Sequence, residues 1–210
     1  MKISLMKSKD KIIINFIKKY DKGKIKILDV GAGDKLMKKE LEKFSIYHSL
    51  DIDKSKNPDI LCDLNKRFPI KDDSYDFVIC SEVLEHTFYP KKIIKEIKRV
   101  VKKEGFIIIS LPNEYNFYLR LKFVLGMQNN TEIPFREDLW KNHIHKARIK
   151  DILRLYKEEF KSIEIKYSWD SFSGKRVFLI LDKIIRNFLM PLSKNLFSRS
   201  VIMIGNKNEK

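Results

Sequence analysis

Apolar residues recur along this chain at two spacings, one helical and one strand-like. Ile12, Ile13, Phe16, Ile17 and Tyr20 repeat at helical spacing before Gly23, which predicts a leading helix packed on the core. Short apolar runs at 25–30, 46–52, 60–62, 77–80 and 106–110 read as strands. The last of these is apolar almost throughout, as in a central strand covered on both faces. Helical patterns fall between them, at 35–44, briefly near Glu82, and most clearly at 90–101. There Ile93, Ile94, Ile97, Val100 and Val101 share a face, with Pro90 at the start and Gly105 just beyond the end. Further on, Tyr115, Phe117, Tyr118, Leu121, Phe123, Val124 and Leu125 predict an apolar, aromatic helix ending at Gly126. Ile149, Ile152, Leu153 and Tyr156 predict another helix, and residues 163–167 and 201–204 the last strands. Strands alternating with helices imply right-handed crossovers and a mostly parallel sheet, hence an α/β fold.

Two of the strands end in groups suited to a nucleoside ligand. Residues 27–34 read Ile-Leu-Asp-Val-Gly-Ala-Gly-Asp, so the first strand runs into a glycine turn. Gly31 and Gly33 lack a Cβ, which permits a tight turn and a close approach of ligand to backbone. The second strand ends in Leu50-Asp51-Ile52-Asp53, about twenty residues on, where an acid accepts hydrogen bonds from ribose hydroxyls. Lys35 stands where a third glycine is often found, and Asp34 before it is placed to cap the next helix.

The segments beyond the second strand separate the families that share such a turn. A dinucleotide-binding dehydrogenase continues with a second mononucleotide half. This chain instead gives Cys62-Asp63-Leu64-Asn65, Phe68-Pro69-Ile70, Asp73-Ser74-Tyr75-Asp76-Phe77-Val78-Ile79-Cys80 and Ser81-Glu82-Val83-Leu84-Glu85-His86. Over residues 24–113 it resembles the class I S-adenosylmethionine-dependent methyltransferases, in the type 11-like group, with five motifs in the expected order. The resemblance implies a Rossmann-like three-layer sandwich: a seven-stranded, mostly parallel sheet with an antiparallel last strand, plus helical insertions. It implies one domain over 1–210, with a cofactor-binding core at 24–113, a lid or acceptor insertion at 114–148, and C-terminal helices and closing strands at 149–206. It assigns Asp29, Gly31 and Gly33 to the methionine portion of S-adenosyl-L-methionine, and Asp51 to the ribose. Ile52 is expected near the adenine, Asp63 at its amino group, Leu64 in an adjacent contact, and Ser81 and Glu82, with Val83, in the loop beneath the sulfonium. Asp76 is expected to hold the loop before the fourth strand.

For catalysis, the sulfonium already activates the methyl group, and a base matters only for a poor nucleophile. If the acceptor is a hydroxyl, His86, His143 and His145 are the candidate bases. His143-Ile144-His145 has the look of a metal-ligand pair, but spacing supplies no third ligand, so no metal site is predicted. The acceptor is expected to be a small molecule, a glycan or a lipid-linked intermediate. An Asn-Pro-Pro-aromatic segment for adenine amino groups and a Pro-Cys pair for cytosine carbon are both missing.

Charge and cysteine content refine this picture. The net charge of +16 comes from lysines spread in pairs along the chain, not from a clustered or arginine-rich tract, so nucleic-acid binding is the less favoured use of it. A methyltransferase-like protein that binds RNA or an acidic partner through its basic surface is the alternative reading. Val177, Phe178, Leu181, Ile184, Ile185, Phe188, Leu189 and Leu192 recur at helical spacing with Lys183, Arg186 and Lys194 among them. The stretch 177–194 is therefore either a helix packed beside the last two strands or an amphipathic helix on a membrane face. The charged N-terminal residues break any signal-like apolar run, and a cytoplasmic location is expected, peripheral at the membrane face in the second of those cases. Cys62 and Cys80 lie in or beside strand-like runs and read as buried thiols.

Overall fold

The computed structural model describes residues 8–20, 23, 25–127, 143–160, 163–169 and 183–207. Seven strands form one sheet: β1 (Ile25–Val30), β2 (Ser45–Asp51), β3 (Ile60–Leu61), β4 (Tyr75–Ser81), β5 (Val101–Pro112), β6 (Ile163–Ser168) and β7 (Ser200–Asn206). Their order is β3-β2-β1-β4-β5-β7-β6. Pairings from β3 through β5 are parallel, and β7 runs antiparallel to both β5 and β6. This is the expected Rossmann-like sheet, closed by an antiparallel last strand.

The alternation of side chains across the pleat builds the three layers. Ile27, Phe77, Ile79 and Ile108 point to one face, where Ile13, Ile14, Phe16 and Ile17 of helix α1 (Ser8–Lys18) and Leu41 of α2 (Lys38–Leu41) cover them. Leu28, Val30, Val78, Cys80, Ile107 and Ile109 point to the other. Over them lie Ile93, Ile94, Ile97 and Val100 of α3 (Pro90–Val100), and Ile149, Ile152 and Tyr156 of α5 (Ile149–Glu159). Adjacent residues of one strand thus serve opposite layers, which fixes the register of the sheet against both sets of helices. Between α3 and α5 in the chain stands α4 (Phe117–Val124).

Several expectations shift. The helix expected at 35–44 shortens to Lys38–Leu41, because Lys35 takes a left-handed backbone (φ 52°) that ends helical geometry there. Asp34 does not cap it: Met37 is the N-cap residue, and Asp34 pairs with Lys56. The short helix near Glu82 is a 3-10 turn at Leu84–His86. The helix expected at 90–101 ends at Val100, and β5 starts at once, so Gly105 lies inside a strand. A Cβ there would stand 2.9 Å from the carbonyl oxygen of Asp76 and 2.6 Å from Val101 Cγ2, so glycine serves close strand contact rather than a helix stop. Helix α4 forms as expected but buries none of its side chains. Cys80 is buried, Cys62 only partly, and both are free thiols.

Two polar anchors hold the edges of this frame. Asp76, within β4, accepts from Lys26 N (2.8 Å) and Lys102 Nζ (2.7 Å), joining the entry ends of β1, β4 and β5. Arg99 of α3 donates to the carbonyl oxygens of Phe68 (3.0 Å) and Ile70 (2.7 Å) and to the carboxylates of Glu96 and Asp72. Its fork thereby pins the loop before β4 against α3, over buried Phe68. Arg99→Ala removes the donor shared by two carbonyls and two carboxylates, and we expect a stability loss of about 1–3 kcal/mol in urea unfolding.

Candidate active site

The sheet order reverses direction between β1 and β4, the switch point at which ligands bind at the carboxyl ends of parallel strands. The turns after β1, β2 and β4 all converge there. Gly31 (φ 68°) and Gly33 (φ 48°) both occupy the left-handed region, which costs glycine least. At Gly31 a Cβ would stand 2.6 Å from Val83 Cγ2, so the turn after β1 presses directly on the turn after β4. Gly31 N donates to Leu50 O (2.7 Å), while Asp51 accepts from Gly33 N through Oδ2 (2.8 Å) and from Asp53 N through Oδ1 (2.9 Å). Asp51 therefore clamps the tips of β1 and β2, and each carboxylate oxygen retains a lone pair for a further donor.

The departures at positions 34 and 35 reinforce this turn. Lys35 adopts the left-handed backbone itself and sends its side chain to Asn57 O (2.6 Å). The Asp34–Lys56 pair runs alongside, so both residues tie the glycine turn to the turn after β2.

Strand pairing brings the end of β3 beside the tip of β2. Asp51 pairs in register with Leu61, and Cys62 N donates to Asp51 O (2.9 Å), which carries Asp63 to the end of β3 next to β2. Asp63 Oδ1 accepts from Asn65 N (2.9 Å) and Asn65 Nδ2 (3.0 Å). Ile52 is 63% exposed just past Asp51, an apolar surface suited to a planar base, and Leu64 packs against the core beside it. Asp53 caps the small turn at Lys54–Lys56 through Ser55.

Asp29 is buried and accepts from Tyr47 Oη (2.7 Å). Burial pushes its carboxyl from 3.8 up to about 7, against the Tyr47 hydrogen bond and the charge of Lys9; Asp10 and Asp51 push it further up. Its side chain thus stands behind the glycine turn, bonded to the protein.

Beneath the switch point lies a residue that sequence patterning missed. Lys9 of α1 is buried, donates to Ser81 Oγ (2.8 Å) and pairs with Glu82 Oε2 (3.1 Å). Glu82 Oε1 accepts from Ser200 Oγ (2.8 Å), Glu82 N donates to Ser110 O (3.0 Å), and Ser81 Oγ meets Ser110 Oγ (2.9 Å). These ties hold Glu82 at φ 55°, a costly conformation for a residue with a side chain and one that clusters at working sites. Lys9 is one cation among many in the sequence, and only the docking of α1 on the sheet places it here.

The structure brings together two of the three predicted histidines. His86 and His143 meet edge to face, ring centroids 4.7 Å apart, and His143 Nδ1 bonds to Glu114 Oε1. The segment 143–145 is held by Glu85 O, which accepts from Ile144 N (2.8 Å) and His145 N (3.0 Å). His145 is outside that ring contact and lines a cavity of about 150 Å³ together with Leu84, Glu85, Pro90 and Leu111 among others. A larger hollow, about 540 Å³, is bounded by residues 67–72 and shares none of the site residues. Burial lowers the His143 imidazole, but Glu114 outweighs this and, with Glu85 and Glu82 nearby, leaves it above its ordinary value.

A glycine turn, an acid at the tip of β2 and a strained loop after β4, around a parallel switch point, define a nucleoside-cofactor protein of the α/β class. Comparison with known proteins narrows the class. Residues 28–109 match the family model described as a methyltransferase domain. The chain is 45% identical over 49 residues to an uncharacterized protein of Methanocaldococcus jannaschii, covering 23% of this chain and 24% of that protein. It is 30% identical over 124 residues to a ubiquinone biosynthesis O-methyltransferase of Hydrogenovibrio crunogenus, covering 50% and 51% respectively. The chain thus spans a quarter to about half the length of these curated relatives. A solved SAM dependent methyltransferase from Archaeoglobus fulgidus shares the fold, with a TM-score of 0.61 at 15% identity and 94% of each chain covered. Residues 28–109 thus match a methyltransferase domain, and the resemblance over that segment is to the class I S-adenosylmethionine-dependent methyltransferases of the type 11-like group. S-adenosylmethionine is the cofactor this family implies, and the turn at Gly31 and Gly33 beside Asp51 fits it.

Asp29 provides a test of the site's electrostatics. Its folded value lies above its unfolded one, so between about 4 and 7 the folded chain holds a proton that the unfolded chain has lost. Stability then falls as pH rises through that window and levels off above it. Asp29→Asn, measured by thermal melts from pH 4.5 to 8, is expected to flatten that part of the decline; an unchanged slope would show that Asp29 is ionised in the fold.

Proposed function

We propose that the protein transfers a methyl group from S-adenosylmethionine, by in-line displacement, to a small-molecule, glycan or lipid-linked acceptor. The observation that carries the reading is the clamp of Asp51 across the tips of β1 and β2, which presents a carboxylate beside the left-handed glycine turn at the switch point. Asp51 would hold the ribose hydroxyls, Ile52 the adenine face and Asp63 its amino group, with the glycine turn open to the methionine portion and Ser81 and Glu82 below. Bound there, the cofactor supplies a methyl group already activated on sulfur. The work of the chain is then positioning and exclusion of water. Lys9 and Ser200 hold Glu82 in its strained conformation, keeping the floor of the site fixed.

The acceptor side is read from exposed apolar surface. Helix α4 exposes Phe123 (85%) and Val124, Leu125 just beyond it is exposed too, and so are Phe188 and Leu192 of the later helical segment. These apolar surfaces favour an apolar or lipid-linked acceptor, and a membrane face as the place where it is met. Residues 177–182 of the tail stretch lie outside the described residues; those from 183 onward are helical, with a π-helical turn at Ile185–Leu189. Among the described residues no helix is long and apolar enough to cross a membrane. The partial likeness to an O-methyltransferase of ubiquinone biosynthesis favours a hydroxyl as the acceptor group.

Calorimetric titration with S-adenosylmethionine, S-adenosylhomocysteine and NAD tests the reading. Both adenosyl ligands should bind and NAD should not, and Asp51→Asn should weaken adenosyl binding by about 10- to 100-fold through loss of charge-assisted hydrogen bonds. Absence of adenosyl binding by a folded protein would overturn the proposal.

A further inference from the structure

Glu85 is the least expected side chain in the molecule. It is 1% exposed, and among the described residues neither carboxylate oxygen meets the geometry of a hydrogen bond, its own backbone N–H included. Burial pushes the carboxyl up to about 8, against its own backbone N–H, His143 and Lys9, and Glu82 adds to the rise. A buried acid without a partner is costly, and its retention calls for a counterpart. The groups nearest to it are His86, whose Nε2 is 4.0 Å from Glu85 Oε1, and His143. One donor atom from each of Glu85, His86 and His143 lies within 4.8 Å of the other two.

We propose that Glu85, His86 and His143 form a binding site for a divalent transition-metal cation, with Glu114 as the residue that positions His143. One carboxylate and two imidazoles are a donor set used for zinc and for non-haem iron, with coordination positions left over for water or substrate oxygen. Bonds of about 2.0–2.2 Å would set donors about 3.3–3.6 Å apart, so modest side-chain rotations from the present spacing close the site. The Glu114–His143 bond is the carboxylate–histidine arrangement that fixes the ring of a ligating imidazole: with Nδ1 engaged, His143 offers Nε2. The backbone is built for the same purpose, since Glu85 O holds Ile144 N and His145 N and so fastens the segment bearing His143 to the turn bearing Glu85 and His86. A cation here neutralises the buried carboxylate. An acceptor hydroxyl bound to it would lose its proton to solvent near neutral pH, so no side-chain base would be needed. That last role rests on the methyltransferase reading; binding of the cation does not.

The test uses the full chain stripped with a chelator and titrated with Co²⁺, read by its visible absorption bands. Saturation at one equivalent is expected, with Zn²⁺ displacing the colour. Glu85→Gln, His86→Ala and His143→Ala should each weaken Co²⁺ binding at least ~30-fold, and Glu114→Gln by about 10-fold. His145→Ala should leave it unchanged. Circular dichroism reports folding, and S-adenosylhomocysteine binding, measured in parallel, reports the cofactor reading. If Glu85→Gln fails to fold, the two histidine variants, on partly exposed side chains, carry the test. Failure of a folded, adenosyl-binding protein to take up Co²⁺, or uptake indifferent to all three substitutions, overturns the site. Uptake that tracks the substitutions without adenosyl binding upholds the site and sinks the proposed function instead.

Discussion

The approach of the turn after β1 to the turn after β4 sets the geometry on which the rest of the molecule depends. At Gly31 there is no room for a Cβ against Val83, and the backbone is left-handed, so any larger residue is penalised by both strain and contact. This closeness keeps the switch point of the sheet narrow. On one side Asp51 ties Gly33 to the end of β2; on the other Lys9, Ser110 and Ser200 hold Ser81 and Glu82. Each tie comes from a different element, so helices and strands far apart in the chain converge on the same few ångströms.

The buried charge around that point is organised, not incidental. Asp29, Asp10, Lys9, Glu82 and Glu85 are all set in or beside the core layers, where the low dielectric strengthens every interaction and penalises every unpaired group. Lys9 answers Asp10 and Glu82, and Tyr47 answers Asp29. Of these acids, Glu85 has a carboxylate with no hydrogen-bond partner among the described residues, close to two histidines. The same turn therefore carries two unlike acids: strained Glu82, tied to Lys9 and Ser200, and, three residues on, a buried carboxylate close to His86 and His143.

Legibility in the sequence tracked the range of the interaction that decides each feature. The strands at 25–30 and 106–110 were readable because residues buried on both faces are apolar with little interruption, and α3 because its apolar face repeats cleanly. The helix expected at 35–44 was not, since a left-handed Lys35 held by Asn57 depends on a neighbour 22 residues away. Gly105 looked like a helix stop because glycine often is one, whereas its role comes from the carbonyl of Asp76 on the adjacent strand. The aromatic run of α4 was readable as a helix, but its exposure was not, because periodicity is silent on whether a neighbour covers the face.

By itself the sequence determined the alternation of strands and helices, the glycine turn, and the acids at the ends of β2 and β3, because all of these rest on local spacing and on residue types with few conformational alternatives. Tertiary structure alone decided that Lys9 sits under the loop after β4, that His86 meets His143, and that the Glu85 carboxylate is buried without a hydrogen-bond partner among the described residues. Those facts depend on contacts between residues 57 to 72 positions apart in the chain, as His86 is from His143 and Lys9 from Ser81. Such contacts exist only once two helical layers have closed on the sheet, and the burial they bring gives each charged group its meaning.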